Sequence, residues 1–587
     1  MKSTRGTTDH GGAGALPAPA LPWWKRTTVY QIYPRSFADS NGDGIGDLPG
    51  VIGKLDYLQR LGVETLWLSP FFESPQADFG YDISDHFAIA PEYGTLSDVR
   101  RLVDEVHARG MKIVLDMVLN HTSDQHPWFR ESREGKGSAR RDWYIWRDGR
   151  GKDGRSPPNN WKSILGGSGW HRDEASGQWY WASFLPFQPD LNYRNPVVKK
   201  AMLDVVRHWL REGVDGLRLD IFNALFKDAS FADNPFSFRP VPSEKNPHGF
   251  FQRNVHTIDH PDTIAFAREL REVVDEHTDP PRFLVGEVFG DPEMLRRYCG
   301  EEARSLHLVF LFESMSVPFS GKAVRKLIRE FESAFPEPFS PTYVFGNHDR
   351  PRFIHRLGAH QAKAKLIATL QLTVRGVPFV YYGEEIGMGH HEIPLHEGLD
   401  PVAARYRFVP QWLVGFFRKR GILLNRDECR LPMQWDDGPN AGFAPASATP
   451  WLPVHPESPT TNVAAQEEDP ESLLRCYRSL LALRRAEPAL QAGALTILEG
   501  PGIPGDVVAY QRGAVGGGDG NGEGAGVEGA GVEVYLNFGR RPVEIEVADP
   551  GGRRVWSSSR GELRPAEARC AIQGYEGVVV VRAPVSG

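Results

Sequence analysis

The sequence predicts an α/β fold: a (β/α)8 barrel, an irregular subdomain inserted after its third strand, and a C-terminal antiparallel β domain. Three observations lead there. Short branched-apolar runs alternate with helical stretches about eight times; acidic residues stand at the C-terminal ends of several runs; and past residue 495 the pattern turns to period two.

Taken in order, residues 29–37 and 63–69 read as strands on either side of a helical stretch, 48–61. Leu96, Val99, Leu102, Val103 and Val106 form a helical face ahead of the strand that starts at Lys112. Val198, Ala201, Met202, Val205, Val206, Trp209 and Leu210 form another ahead of the strand 216–220. Further strands are expected at 282–288, 306–312, 341–349 and 377–382. Runs this short and apolar suit parallel strands covered on both faces. Acids at several strand ends favour a closed barrel over a doubly wound sheet, which gathers its site at one switch point.

The expected division is a disordered start (1–22), a barrel in two parts (23–120 and 193–490), an inserted subdomain (121–192) and a terminal β domain (491–587). The insertion, rich in Trp, Gly, Ser and charge, is too long for a simple loop and is expected to overhang the barrel mouth. In the last domain, strands are expected at 507–511, 532–537, 543–547 and 578–582, with the glycine-crowded 513–531 as a flexible hairpin tip.

Composition excludes several classes. A net charge of −7 over 587 residues offers no basic field for a nucleic acid, while 15 Trp, 17 Tyr and 32 Phe supply faces on which sugar rings stack, though most aromatics serve as core. Cys299, Cys429, Cys476 and Cys570 show no paired spacing, so reduced thiols are expected rather than a zinc site or disulfides. No apolar stretch has signal-peptide or transmembrane length. A cytoplasmic enzyme with an oligosaccharide or disaccharide substrate, and neither nucleic-acid nor membrane partner, is the expectation; monomer and homo-oligomer both stay open.

Four strand-end segments carry the chemistry: 116–121 (Asp-Met-Val-Leu-Asn-His), 216–220 (Gly-Leu-Arg-Leu-Asp), 285–287 (Val-Gly-Glu) and 345–349 (Phe-Gly-Asn-His-Asp). Retaining glycoside cleavage needs one carboxylate to attack the anomeric carbon and a second carboxylic acid, about 5 Å away, to protonate the departing oxygen. Asp220, two residues after Arg218 on one strand face, has a cation to keep it ionised; the alternative is a structural ion pair. Glu287 has no cation adjacent in sequence, so an apolar site would raise its pKa as a general acid requires. His121 and His348 stand in matching strand-end contexts, able to donate to sugar hydroxyls, whereas a lone histidine is more often structural.

In order and spacing the four segments resemble the signature regions of the α-amylase family of glycoside hydrolases. A fifth, Gln-Pro-Asp-Leu-Asn at 188–192, resembles the mark of its oligo-1,6-glucosidase branch, which also holds α-glucosidases, sucrose isomerases and trehalose synthases. The resemblance implies Asp220 as nucleophile, Glu287 as general acid/base and Asp349 as the third acid, with Arg218, His121 and His348 lining the same subsite. Asp78 and Tyr81 match the family's positions for clamping and stacking the non-reducing sugar, which implies an exo-acting pocket. Arg426 aligns first, and Arg430 second, with the family's cationic partner of Asp78; Phe184 is a candidate wall or a core residue. The loop 39–47 places Asp39, Asn41, Asp43, Ile45 and Asp47 at alternate positions with glycine between, which suits a hard cation. Gly50 stands where an EF-hand needs its bidentate glutamate, but the loop resembles the structural metal loop of this branch, implying Ca2+ or Mg2+ and no organic cofactor; an unoccupied Asx-rich turn is the alternative.

The expected activity is therefore a retaining, exo-acting α-glucosidase on short α-glucosides. Ile221, after the nucleophile, resembles the Val-type residue of α-1,6-preferring members, so the substrates expected are of isomaltose type ahead of maltose type. One rival is a glucosyl-transferring or isomerising member such as trehalose synthase; the Arg/Asp loop motif associated with sucrose isomerases is not evident. The other is a non-catalytic barrel of the transporter-ancillary type, which commonly loses the acids retained here.

Overall fold

The computed structural model describes residues 21–418, 421–500, 502–513 and 531–582. The start, 1–20, and the glycine-rich stretch 514–530 lie outside the described residues, so the expectations of a disordered start and a flexible tip concern residues not described.

Eight parallel strands form the central sheet: β1 (Val29–Ile32), β2 (Thr65–Leu68), β3 (Lys112–Met117), β4 (Gly216–Leu219), β5 (Phe283–Gly286), β6 (Leu308–Val309), β7 (Thr342–Val344) and β8 (Val377–Tyr381). Their order is β6-β5-β4-β3-β2-β1-β8-β7, a nearly closed barrel whose seam lies between β6 and β7. With β6 only two residues long, a side chain bridges that seam. The Thr342 hydroxyl donates to the Val309 carbonyl (2.7 Å) and accepts from the Leu311 N–H (3.0 Å).

One helix packs outside after each strand: α1 (Leu55–Leu61), α2 (Leu96–Ala108), α3 (Pro196–Arg211), α4 (Pro261–Val274), α5 (Pro292–Cys299), α6 (Gly321–Ala334), α7 (Gln361–Thr373) and α8 (Leu473–Ala486). Their starts are written in sequence. Thr95 and Asp98 make a reciprocal capping box at α2, while Asn195 followed by Pro196 caps α3. On α3, Val198, Met202, Val205, Val206, Trp209 and Leu210 are buried against the sheet, each contributing about 1.5–3 kcal/mol of apolar burial.

The observed strands are shorter than expected. Pro34 opens a 3-10 turn that stops β1, and the expected single helix at 48–61 is two, Leu48–Gly53 and Leu55–Leu61, broken at Lys54. Residues 121–192 leave the barrel between β3 and α3 but are less irregular than expected: Trp146–Asp148, Trp170–Arg172 and Gln178–Trp181 form a small antiparallel sheet beside a core of Ile145, Trp161, Trp170 and Trp181. Two further excursions have no counterpart in the sequence reading: residues 225–260 between β4 and α4, and 382–472 between β8 and α8. The first is made of turns and irregular backbone and the second of turns and short helices, and neither carries a long periodic signal.

The C-terminal sheet is antiparallel, Leu495–Leu498, Val507–Arg512, Val532–Asn537, Gly577–Arg582, Arg553–Ser557 and Leu563–Pro565 in spatial order, with a two-stranded companion, Val543–Glu546 and Arg569–Ile572. It is joined to the barrel by buried polar contacts. Arg512 donates to the carbonyls of Thr373 (2.6 Å), Leu490 (3.0 Å) and Gly493, and Tyr510 shares a hydrogen bond with Thr373. Among the described residues no helix is long and apolar enough to cross a membrane.

Candidate active site

Strand register assembles the centre. Asp116 on β3 lies opposite Arg218 on β4, and Arg218 opposite Val285 on β5. The ladder continues past the strands, with Asp220 N–H on the Met117 carbonyl (3.1 Å) and Glu287 N–H on the Leu219 carbonyl (2.9 Å). Because side chains two residues apart share a face, Asp220 and Glu287 follow Arg218 and Val285 to the same side of the sheet, at its C-terminal end.

One guanidinium holds all three acids. Arg218, 2% exposed, donates through Nη1 to Asp116 (2.6 Å) and Asp220 (2.8 Å) and through Nη2 to Glu287. One buried cation cannot neutralise three carboxylates, so protons are retained. Burial raises Asp220 to about 6 against the pull of Arg218, and raises Asp116 to about 6 likewise. Burial pushes Glu287 higher, to about 8, reinforced by Asp220 and Asp349. A hydrogen bond between Glu287 and Asp220 lowers the second and raises the first, so the shared proton rests on Glu287. The expectation that Glu287 lacks a cationic neighbour is corrected here: Arg218 reaches it across the sheet, and burial with two nearby carboxylates outweighs that contact.

Asp349, beyond β7, is the opposite case. Burial would raise it, but His348, Arg426 and Arg430 outweigh that and hold it below the usual carboxylate range. Burial drives His348 itself down to about 3, so its ring is neutral at pH 7 and the arginines are the cations that count. Arg430 reaches Asp349 Oδ1 at 2.8 Å and Arg426 reaches it at 3.3 Å. Arg426 also pairs with Asp78 (2.6 Å) and Asp400 (2.7 Å), so it meets Asp78 as aligned, whereas Arg430 contacts Asp349 and the His348 carbonyl (2.8 Å). Gln188 donates to the other Asp78 oxygen (3.0 Å).

A hydrogen-bonded chain ties the pieces together. The Gln31 amide lies 2.8 Å from His348 Nδ1; His348 Nε2 lies 2.7 Å from the Tyr81 hydroxyl, which donates to Asp116 (3.0 Å). With the Gln31 nitrogen donating to Nδ1, the neutral ring carries its proton on Nε2. Tyr81 stacks on that imidazole, ring centroids 5.4 Å apart and nearly parallel. His121 donates from Nε2 to the Tyr81 carbonyl (3.1 Å) and packs against Phe184 (5.5 Å). Phe184 joins Ile164, Ile221, Ala224, Ile258 and Phe289 in an apolar wall beside the acids.

Ile221 is strained. It has φ of +37°, a region β-branched residues avoid, at the turn that carries Asp220. Phe79, beside Asp78, is also left-handed (φ +49°).

Asp116, Asp400, Gln31 and Trp67 were not assigned from sequence. Asp116 opens a quoted segment, and its partnership with Arg218 follows from register that the sequence does not print. Asp400 precedes Pro401 as a helix N-cap, a signal of structure rather than of chemistry. Trp67 donates to Asp116 (3.3 Å) with the Arg218 guanidinium 5.3 Å from its ring.

In the loop 39–47, Asp39 accepts from the N–H groups of Asn41 (3.0 Å), Gly42 (2.7 Å) and Gly44 (2.8 Å). Asp43 accepts from Ile45 (2.8 Å), and Asp47 from Ser40 (3.1 Å) and Gly50 (2.6 Å). Among the described residues no group of three or more His, Cys, Asp or Glu side chains is arranged to hold a metal ion. The donor set itself, three carboxylates with an amide and a carbonyl oxygen, is of the hard kind suited to Ca2+ or Mg2+.

A family model described as alpha amylase, catalytic domain, matches residues 31–493. The chain is 40% identical to a probable alpha-glucosidase of Rhizobium meliloti (strain 1021), over 83% of this chain and 86% of that one. It is 38% identical to an oligo-1,6-glucosidase of Parageobacillus thermoglucosidasius, over 81% and 86% respectively. The solved structure of an alpha-glucosyl transfer enzyme, XgtA, superposes with a TM-score of 0.82 at 36% identity, covering 96% of this chain and all of that one. With the model spanning most of the barrel and both relatives covering four-fifths of the sequence, the chain belongs to the α-amylase family of glycoside hydrolases.

Proposed function

We propose that the protein is a retaining, exo-acting α-glucosidase that removes glucose from the non-reducing ends of short α-glucosides. The carrying observation is that one guanidinium holds both acids, Asp220 on Arg218 Nη1 (2.8 Å) and Glu287 on Arg218 Nη2. Carboxylates this close suit the separation of about 5–5.5 Å used for double displacement, not the wider gap of about 6.5–9.5 Å that admits a water for inversion.

In this reading Asp220, the first of the pair to ionise, attacks the anomeric carbon while Glu287 protonates the departing glycosidic oxygen. Glu287, now a carboxylate, takes a proton from water, which attacks the glucosyl ester and releases glucose with its configuration retained. Arg218 holds both acids. Asp349, kept ionised, accepts from sugar hydroxyls. Asp78, clamped by Arg426, closes the pocket at the non-reducing end, with Tyr81, His121, His348, Arg430 and Phe184 around the ring. Ile221 favours isomaltose-type over maltose-type substrates.

Product anomers resolved by proton NMR from isomaltose, maltose, panose, sucrose and trehalose test this: α-glucose is expected first, and initial β-glucose overturns retention. The likeness to the transfer enzyme favours a second reading, in which the same glucosyl-enzyme is resolved by a sugar; disaccharide products in place of free glucose select it.

Asp39, Asn41, Asp43, the Ile45 carbonyl and Asp47 would hold a structural Ca2+ or Mg2+, neutralising carboxylates that otherwise accept from loop N–H groups and the Ser40 hydroxyl. Chelation with EDTA is then expected to lower Tm, and restoring one of the two ions to recover it; an unchanged Tm rejects the site.

A further inference from the structure

A turn of the insertion, Ser163 to Gly167, is pinned from two sides. Its Ile164 belongs to the apolar wall next to Ile221, the residue after the proposed nucleophile. On one side the Ile164 N–H bonds the Ser183 carbonyl (2.8 Å) and the Ser163 hydroxyl the Phe184 carbonyl (2.7 Å). On the other, two consecutive carbonyls are taken by the excursion after β8: Leu165 accepts from the Tyr406 hydroxyl (2.7 Å) and Gly166 from Arg405.

The turn is built for these contacts. Gly166 and Gly167 have φ of +82° and +74°, and a Cβ on Gly167 would stand 2.6 Å from the Arg405 guanidinium. The Tyr406 ring is rooted in a separate small core, Leu395, Ala403, Val414 and Leu424, from which its hydroxyl reaches across. The helix that ends at Arg405 (Pro401–Arg405) is capped by Asp400, and Asp400 is paired with Arg426, which also holds Asp78 and Asp349. A continuous set of bonds thus runs from the sugar clamp, through Asp400 and this helix, to the wall at Ile164.

We infer that Arg405 and Tyr406 are positioning residues that fix the Ile164 wall and so set how well a second sugar is held there. That wall joins Ile221, directly after the nucleophile, to Phe289, two residues past the proton donor Glu287, and so borders the departing sugar. The inference rests on the glucosidase reading. A firm wall holds a departing or accepting sugar against the glucosyl-enzyme; a loosened one admits water and favours hydrolysis over transfer.

Tyr406→Phe and Arg405→Met, with Arg405→Lys as conservative partner, test it with two substrates. α-Glucosyl fluoride leaves the second-sugar position empty, and isomaltose fills it; the ratio of fluoride to glucose released, with methyl α-glucoside added as acceptor, reports transfer. Expected are a KM for isomaltose raised about three- to tenfold and a similar loss of transfer, the size of one lost hydrogen bond, with turnover of the fluoride and Tm close to wild type. Arg405→Lys should recover part of the transfer. Unchanged KM and transfer in both variants overturn the inference, as does an equal loss on both substrates with a lowered Tm, which marks a merely structural role. A wild-type protein inactive on the fluoride refutes the glucosidase reading itself, before any variant is compared.

Discussion

Asp215 and Asp220 flank a single strand, β4, and both are buried, yet their surroundings move their protons in opposite directions. Asp215, fully buried before the strand, meets three basic groups, His107 (2.7 Å), Lys112 (3.1 Å) and Arg282 (2.9 Å), together with the Ile113 N–H (3.0 Å). Burial alone would raise its pKa; the hydrogen bonds of His107 and Ile113 and the Lys112 charge outweigh it, and the carboxyl sits below its ordinary value. Asp220, after the strand, shares a single Arg218 with two other carboxylates and is raised to about 6. The difference is the ratio of cations to acids. Matched acids at the base of the barrel hold the fold, whereas under-compensated acids at its mouth retain a proton to deliver.

The largest expected effect separates the two ends by activity. Asp220→Asn and Glu287→Gln should each lower turnover by about 10³-fold or more while Tm holds or rises, since each removes charge from an acid-rich cluster. Near-normal turnover in either would strike that residue from its role.

Asp215→Asn should do the reverse. Thermal or urea unfolding is expected to show a loss of about 3 kcal/mol, the lower end for breaking a buried pair because the cations left behind keep some access to water, with turnover of the folded enzyme unchanged. Lost turnover at wild-type stability would erase the distinction between the two ends.

The pH profile gives a smaller, graded effect. Activity needs Asp220 ionised and Glu287 protonated, so kcat/KM should rise through about pH 6, fall through about pH 8, and change tenfold per unit outside that window. Stability carries opposite signs. Glu287, raised from 4.5 to about 8, binds its proton more tightly folded than unfolded, so wild type loses stability as pH climbs between those values. Glu287→Gln should flatten that loss. Asp215, lowered from 3.8, contributes stability above that value that is lost on acidification. Tm against pH for wild type, Glu287→Gln and Asp215→Asn separates the two.

The smallest effect tests redundancy. Lys112 is 27% exposed and one of three basic partners, so Lys112→Gln should cost no more than about 1 kcal/mol in urea unfolding. A loss as large as that of Asp215→Asn would mean that the base of the barrel is as finely balanced as its mouth.

Much of this site was legible in the chain itself. The barrel follows from alternating apolar runs and helical faces such as Val198 to Leu210, because burial on one face imposes a local period. Asp220, Glu287 and Asp349 were visible because each ends such a run, and Arg218 because it precedes Asp220 by two residues on one strand face. The excursions 225–260 and 382–472 were not, since turns, irregular backbone and short helices leave no periodic mark.

Tertiary structure alone decided how charge is shared. Sequence offered Arg218 as a private partner of Asp220; folding made it common to Asp116, Asp220 and Glu287, and so set which acid keeps the proton. It likewise joined Arg426 to Asp349 and Asp400 and, across hundreds of residues, Arg426 to Asp78 and Tyr406 to Leu165. The physical reason is that a local pattern fixes which face a side chain occupies, whereas a pKa or an ion pair depends on every charge within a few ångströms, whatever its distance along the chain.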